Sequence, residues 1–206
     1  MAEDLLRLIG LSVGILSELS YSKNLGRSLK HSIGSFDKDK FLNELFSVSV
    51  WLNEQDILQE IALDYRVKSF DSIRSKYNRY YPDKPARQVF NDLLGFRAFC
   101  DSYDDLLNIK SDIFHTADMS SGKANDDGYR GVHLYYQEDN FHYPIEIQFN
   151  TYYDKQLNNW LHIYLYKKDY PDSIGRKMRE LYEKGYIRRS SDFEKVLNDV
   201  LSDSEK

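Results

Sequence analysis

The stretch from Gly128 to Thr151, GYRGVHLYYQEDNFHYPIEIQFNT, narrows the fold more than any other. Val132, Leu134 and Tyr136 alternate with other residues, and Tyr143, Ile145 and Ile147 do so again after a polar break. Period-two alternation marks strands with one dry face, so the segment reads as an antiparallel hairpin. With Asp139 and Asn140 as a two-residue turn, Glu138 faces Phe141, Tyr136 faces Tyr143, Leu134 faces Ile145 and Val132 faces Ile147. A slip of one residue would turn every apolar side chain to water, so this register is favoured. It sets His133 opposite Glu146, and Gly131 opposite Gln148 with room left beside the amide. Pro144 has no N–H to give a ladder, which predicts an edge strand or a bulge there. The polar face is either solvated surface or a site, and the pattern alone permits both.

Helices are expected on either side. The first 65 residues read as a helix to about Leu19, a Ser/Asn/Gly-rich loop over Tyr21 to Ser35, and helices over Asp37 to Asn53 and Gln55 to Leu63. Arg66-Val-Lys68 is a short extended piece, and Ser69 caps a helix that runs to about Tyr80 before Pro82. The apolar run DLLGFRAFC from Asp92 is too short for a helix and reads as a buried strand, with a helix over Asp104 to Ile113 packed on it. Ser120 to Gly128 is a loop, and the chain from Tyr152 onward is helical. This order predicts an α+β fold, a mixed β-sheet flanked by helices. It divides into an N-terminal helical region (1–60), a core (61–168) and C-terminal helices (169–206).

At 206 residues the chain supports one main core with small appendages. The apolar run Leu8 to Leu16 follows Glu3 and Asp4 rather than a basic leader, and is too short to span a bilayer. The single cysteine, Cys100, excludes an internal disulfide and a cysteine-cluster metal site, and its apolar neighbours point to an inert thiol. A cytoplasmic location is the expectation.

A formal charge of −5 argues against a protein that coats nucleic acid through bulk electrostatics. The charge is uneven, however. Arg66 to Arg97 holds eight basic residues against three acidic ones, a net of +5, which leaves the remainder at −10. Such a field suits a compact polyanion such as a nucleoside triphosphate; a solvated basic helix face is the other reading.

Several side chains in this stretch have the types and spacing of a phosphate site. Ser72 and Lys76 are four apart on one helical face, with Ser72 in the first turn, where free N–H groups attract anions. Arg66 and Lys68 are two apart, so on an extended segment they project to one side. Asp92, at the mouth of a buried strand, is either a cap or a ligand for a hard metal, and magnesium is usually held by one or two carboxylates plus substrate phosphates. Glu146 is the available partner acid.

Taken together, Arg66-x-Lys68-x-x-x-Ser72-x-x-x-Lys76, Asp92-x-x-Gly95-x-Arg97, Gly128-Tyr129-Arg130 with His133, and Glu146-x-Gln148 with Thr151 resemble the synthetase domain of the RelA/SpoT family over residues 60–168. The resemblance implies a nucleotidyltransferase-like fold. It also implies transfer of the β,γ-pyrophosphate of ATP to the 3′-hydroxyl of GDP or GTP, which makes (p)ppGpp and AMP. By position, Arg66, Lys68, Ser72 and Lys76 would bind ATP, and Asp92 and Glu146 would be the catalytic, Mg²⁺-holding carboxylates. Tyr129, His133, Gln148 and Arg97 would bind the acceptor, with Tyr129 stacked on its base. With neither a hydrolase domain nor a regulatory tail in evidence, a small synthetase-only member is expected. The C-terminal helices Ser173 to Lys184 and Ser191 to Leu201 are available for a homo-oligomer.

The chain departs from the family pattern in two places. Asn125-Asp126-Asp127 precede Gly128 where the family carries Pro-Lys and then Asn, with Lys123 the nearest lysine, and Asn150 stands where Arg is commoner. Carboxylates beside an anionic acceptor repel it unless a cation or partner intervenes. A toxin-type pyrophosphokinase acting on the 3′ end of tRNA, with an antitoxin partner, is therefore the second reading, and an inactive nucleotide-binding module the third.

Overall fold

The computed structural model describes residues 2–109, 111–166, 168 and 170–204. Lys110, inside the helix expected over Asp104 to Ile113, and Lys167, in the expected C-terminal helical stretch, lie outside the described residues. The chain divides into two compact units. The first takes in the chain to Ala98 with Asn108–Ala117 and His133–Gln148; the second takes Phe99–Leu107, Asp118–Val132 and the chain from Phe149 onward.

In the first unit the expected N-terminal helix is split into α1 (Ala2–Leu8) and α2 (Val13–Glu18). Gly10 adopts a left-handed φ of 77°, and Gly10 and Leu11 return their N–H groups to Arg7 and Leu6. That arrangement ends a helix at a glycine. Ser12 then caps α2 by accepting from the Ile15 N–H. α3 (Lys38–Asn53) starts at an Asp37 cap as expected, whereas the next helix is reduced to α4 (Ile57–Glu60).

β1 (Asp64–Val67) leads into α5 (Phe70–Tyr80), whose N-cap is Ser69. A short helix, α6 (Ala86–Val89), comes before β2 (Leu94–Phe99). α3 packs against α5 and β1, and Phe41 of α3 lies at the centre of an aromatic cluster with Phe36, Tyr77 and Phe90.

The helix expected over Asp104 to Ile113 is confined to α7 (Asp104–Leu107), and Phe114–Asp118 forms a strand, β3, that the sequence reading did not anticipate. β4 (Val132–Tyr136) and β5 (Ile145–Asn150) are the hairpin strands. Among the described residues the strands form a mixed five-stranded sheet in the order β1-β2-β5-β4-β3, flanked by helices, so the α+β expectation holds. β1 and β2 are antiparallel, with Arg66 paired to Gly95. Leu94, Phe96, Leu134, Ile145 and Ile147 are buried on the core face.

The turn between β4 and β5 is wider than two residues. The Asp139 carboxylate accepts from the N–H groups of Phe141 and His142, and the returning chain pairs first with the N-terminal segment: Lys23 donates to the Phe141 carbonyl and Tyr143 to the Tyr21 carbonyl. β5 is therefore interior, not an edge, and Pro144 lies just ahead of it, where no ladder N–H is required.

The second unit is built from α8 (Tyr152–Tyr164), α9 (Asp172–Glu183) and α10 (Ser190–Ser204), packed together around Leu161, Met178, Phe193 and Leu197. Its polar centre is Arg179, which is 1% exposed. Arg179 donates to Asp154 at 2.6 Å, to the Gly128 carbonyl at 2.9 Å and to Asn158 at 3.3 Å. α9 crosses so close to the Asp127 carbonyl that Gly175 has no room for a side chain. Replacing Arg179 with Met leaves the Asp154 carboxylate without its cation and the Gly128 carbonyl without its donor. A loss of about 3–5 kcal/mol in urea unfolding is expected, and a loss below 1 kcal/mol would contradict this role.

Candidate active site

The polar face of the sheet follows from strand alternation. Leu94 and Phe96 on β2, and Ile145 and Ile147 on β5, turn into the core, so Gly95, Arg97, Glu146 and Gln148 turn the other way. These four, with Arg66, Lys68 and Asp92, line one hollow of about 50 Å³. A Cβ at Gly95 would lie 3.3 Å from Glu146 Oε2, so a side chain there would press on the carboxylate by a few tenths of an ångström.

Asp92 is the electrostatic hub of the hollow. Lys68 Nζ donates to its Oδ2 at 2.5 Å and Lys76 Nζ to its Oδ1 at 3.0 Å. The Lys68 N–H also bonds the Leu93 carbonyl, so the end of β1, the body of α5 and the start of β2 meet here. Burial works to raise the Asp92 pKa, but the ammonium groups of Lys76 and Lys68 together outweigh it and hold the carboxyl below its usual range.

Glu146, 6% exposed, is held at both oxygens. Tyr135 Oη donates to Oε1 at 2.9 Å, His133 Nδ1 lies 3.0 Å from Oε1, and Gln148 Nε2 donates to Oε2 at 2.6 Å. Burial again pushes its pKa up, as does the Asp92 charge. The His133 and Gln148 contacts prevail, so Glu146 also lies below the usual range. Both carboxylates are ionised at neutral pH.

Of the site residues expected from sequence, the hollow thus gathers Arg66, Lys68, Asp92, Arg97, Glu146 and Gln148; Lys76 reaches it through Asp92 and His133 through Glu146. Ser72 is not among the lining residues: its N–H and Oγ both engage Ser69 Oγ at the start of α5. Tyr135 was missed. It stands two residues from His133 on the same face of β4, and that period-two spacing was the available signal.

Tyr129 belongs to the second unit, on a loop held by the Arg179 bond to Gly128. Lys123 Nζ sits 5.0 Å from the centre of its ring. The acidic residues of this loop carry their own cations: Arg130 clasps Asp126 through two bonds of 2.7 and 3.0 Å, and Lys123 pairs with Asp127 at 2.6 Å. The Arg130 bond holds the Asp126 carboxyl low. Gly131 makes room for Asn150 and Tyr129, which a side chain there would strike, rather than for Gln148 as expected. Burial and two nearby carboxylates push the half-buried Cys100 thiol up to about 11, which keeps it protonated.

Among the described residues no three His, Cys, Asp or Glu side chains gather as a metal cage, and no helix is long and apolar enough to cross a membrane.

The ion pairs on Asp92 make a prediction about pH. A depressed carboxylate contributes stability that is complete above its unfolded pKa, about 3.9, and lost as pH falls through the lower folded value. Lys76→Met removes the cation whose charge acts more strongly on Asp92. Asp92 is then expected to titrate at higher pH than in the parent, read from its carboxyl ¹³C shift. The variant's stability deficit at pH 7 should shrink below about pH 4. An unchanged Asp92 titration would show that Lys76 does not set it.

No curated protein matches the sequence significantly. Solved structures that resemble the fold include small alarmone synthetase 1 from Bacillus subtilis bound to its product pppGpp (19% identity, TM-score 0.44, 82% of this chain and 98% of that one). Small alarmone synthetase 2 from Bacillus subtilis is similar (22%, 0.45, 80% and 98%), as is a GTP pyrophosphokinase family protein from Streptococcus pneumoniae (19%, 0.41, 81% and 95%). The sequence profile of the region found in RelA / SpoT proteins matches residues 65–171, just over half of the chain and all of β1 to β5 but the first residue of β1. The chain belongs to the RelA/SpoT family.

Proposed function

We propose that the protein is a pyrophosphokinase that moves the β,γ-pyrophosphate of ATP to the 3′-hydroxyl of GDP or GTP. The observation that carries this reading is the hollow itself, where cations and two ionised carboxylates meet on one sheet face in a RelA/SpoT chain. Lys68 and Lys76, resting on Asp92, are the groups to pass to the triphosphate of ATP, Arg66 completes the donor's positive wall, and Arg97 at the same hollow is left for the acceptor. In the reaction the acceptor 3′-oxygen bonds to the β-phosphorus, the bond from that phosphorus to the α–β bridging oxygen breaks, and AMP departs with the oxygen. The hydroxyl proton goes to Glu146, which is ionised and fixed by Tyr135, His133 and Gln148. Positioning and charge neutralisation supply most of the acceleration in such transfers.

Asp92 and Glu146 also suit magnesium. They are hard anionic oxygens at one hollow, too few for a protein-only cage and enough for an ion that is shared with substrate phosphates. Bound there, Mg²⁺ would neutralise charge on the transferring phosphates. Asp126 and Asp127, the feature that first favoured a tRNA acceptor, carry internal cations, and this supports the nucleotide acceptor.

The test is γ-labelled ATP and Mg²⁺ with GDP, GTP or deacylated tRNA in separate reactions. Label is expected on GDP and GTP, lost with EDTA, and reduced about 10²–10⁴-fold by Glu146→Gln. Label on tRNA alone would replace the acceptor. No label anywhere, with Glu146→Gln behaving as the parent, would end the enzyme reading.

A further inference from the structure

The loop that carries Tyr129 is gripped residue by residue. Arg179 Nε of α9 donates to the Gly128 carbonyl at 2.9 Å. The Arg130 carbonyl accepts from Asn158 Nδ2 of α8 at 2.7 Å and from Asn150 Nδ2 at 2.8 Å, and the Arg130 N–H donates to Asn158 Oδ1 at 3.3 Å. Tyr129 lies between these two fixed residues, with its hydroxyl 3.4 Å from Asn150 Nδ2. Arg179, Asn150 and Asn158 are all buried, so these bonds form out of water and each is costly to leave unmade.

Packing brings the backbones of the loop and α9 into direct contact. A Cβ on Gly175 would lie 2.0 Å from the Asp127 carbonyl oxygen, and one on Gly128 would lie 2.3 Å from the Gly175 carbonyl oxygen. Gly128 also holds a left-handed φ of 86°, which favours glycine. Arg179 ties this contact to α8. Its other two nitrogens donate to Asp154 at 2.6 Å and to Asn158 at 3.3 Å, and Asp154 is held in turn by the hydroxyls of Thr151 and Tyr103. The Asp154 ion pair alone joins α9 to α8; the bond to Gly128 adds the loop to that joint.

We propose that Arg179 is a positioning residue for the acceptor nucleotide: through the Gly128 carbonyl it fixes the Tyr129 ring for the acceptor base, and α9 thereby sets acceptor affinity. The inference rests on the pyrophosphoryl-transfer reading, with Tyr129 as the residue the acceptor base meets. A loop held in place before the acceptor arrives loses no binding energy to ordering. Loosening Arg179 therefore weakens the acceptor and leaves ATP as it was, since the cations expected for ATP, Arg66, Lys68 and Lys76, belong to the first unit.

The experiment measures the Michaelis constants for GDP and ATP in the parent, in Arg179→Lys, in Tyr129→Ala and in the double variant. Lysine keeps a cation for Asp154, but its single nitrogen cannot span Asp154, Asn158 and Gly128 as the guanidinium does. The KM for GDP is expected to rise about 10-fold in Arg179→Lys with the KM for ATP unchanged, and calorimetric titration of GDP without ATP is expected to show the same loss. In the Tyr129→Ala background Arg179→Lys should weaken GDP no further, because the arginine acts through that ring. A fall in kcat alone, an equal rise in both constants, or an undiminished effect of Arg179→Lys in that background marks a purely structural role and overturns the proposal. If urea unfolding shows that Arg179→Lys does not fold, the pair Asp154→Asn with Arg179→Gln, which leaves no buried charge, takes its place under the same criteria. If the parent transfers to neither GDP nor GTP, the enzyme reading fails on its own and GDP titration decides the rest. Binding weakened by Arg179→Lys through Tyr129 upholds the positioning role; unaltered binding, or none in the parent, overturns it.

Discussion

Two ammonium groups on one half-buried carboxylate are what the first unit is arranged around. Lys68 leaves the end of β1, Lys76 projects from the second turn of α5, and Asp92 waits at the mouth of β2. Partial burial of three charges is costly, and with two cations on one carboxylate the cluster keeps a net charge of +1 in a poorly solvated place, so loss of Asp92 would leave two ammonium groups facing each other. The Ser69 cap therefore matters beyond the helix it starts, because it sets where α5 begins and hence where Lys76 points. Under the pyrophosphokinase reading the same cluster would exchange partners. A triphosphate offers the lysines denser negative charge than Asp92 does, and a carboxylate released by them is free to share a divalent ion with that triphosphate.

Legibility from sequence followed the range of the interactions. Local pattern revealed both β2, as an apolar run too short for a helix, and β5, whose alternation set Glu146 and Gln148 on the polar face because burial on one side of a strand is written at every second residue. The Ser69 cap and the paired spacing of Arg66 with Lys68 were equally local. The split at Gly10 was signalled by a glycine and missed, since an amphipathic run continues across it. β3 was hidden because Phe114–Asp118 holds a single large apolar residue and is a strand only by virtue of its neighbour in the sheet. The turn at Asp139 was misjudged for a non-local reason. Its width depends on the pairing of Tyr21 and Lys23 with Tyr143 and Phe141, more than a hundred residues away.

Within the site, acids and cations were legible and Tyr135 was not. A tyrosine on a half-buried strand is most often packing, and only the position of its hydroxyl, on Glu146, separates this one from the others. The acidic loop is the converse case. Its two aspartates were conspicuous, yet each stands four residues from a basic partner, Asp126 from Arg130 and Asp127 from Lys123, and both pairs form. The apparent anionic barrier is largely neutral.

That neutrality moves the question of acceptor choice from repulsion to attraction. Once Arg130 and Lys123 are spent on their own loop, and Lys68 and Lys76 on Asp92, the cations that remain without ion-pair partners around the sheet face, among the described residues, are Arg66 and Arg97 at the hollow and Arg87. Arg87 lines a separate cavity whose wall includes Tyr135, the residue that donates to Glu146 at the hollow. A transfer between two nucleotides must hold two anionic tails apart while it brings one hydroxyl to one phosphorus, because tails that converge repel each other by several kcal/mol in a partly desolvated site. Separate positive regions flanking a buried carboxylate meet that requirement.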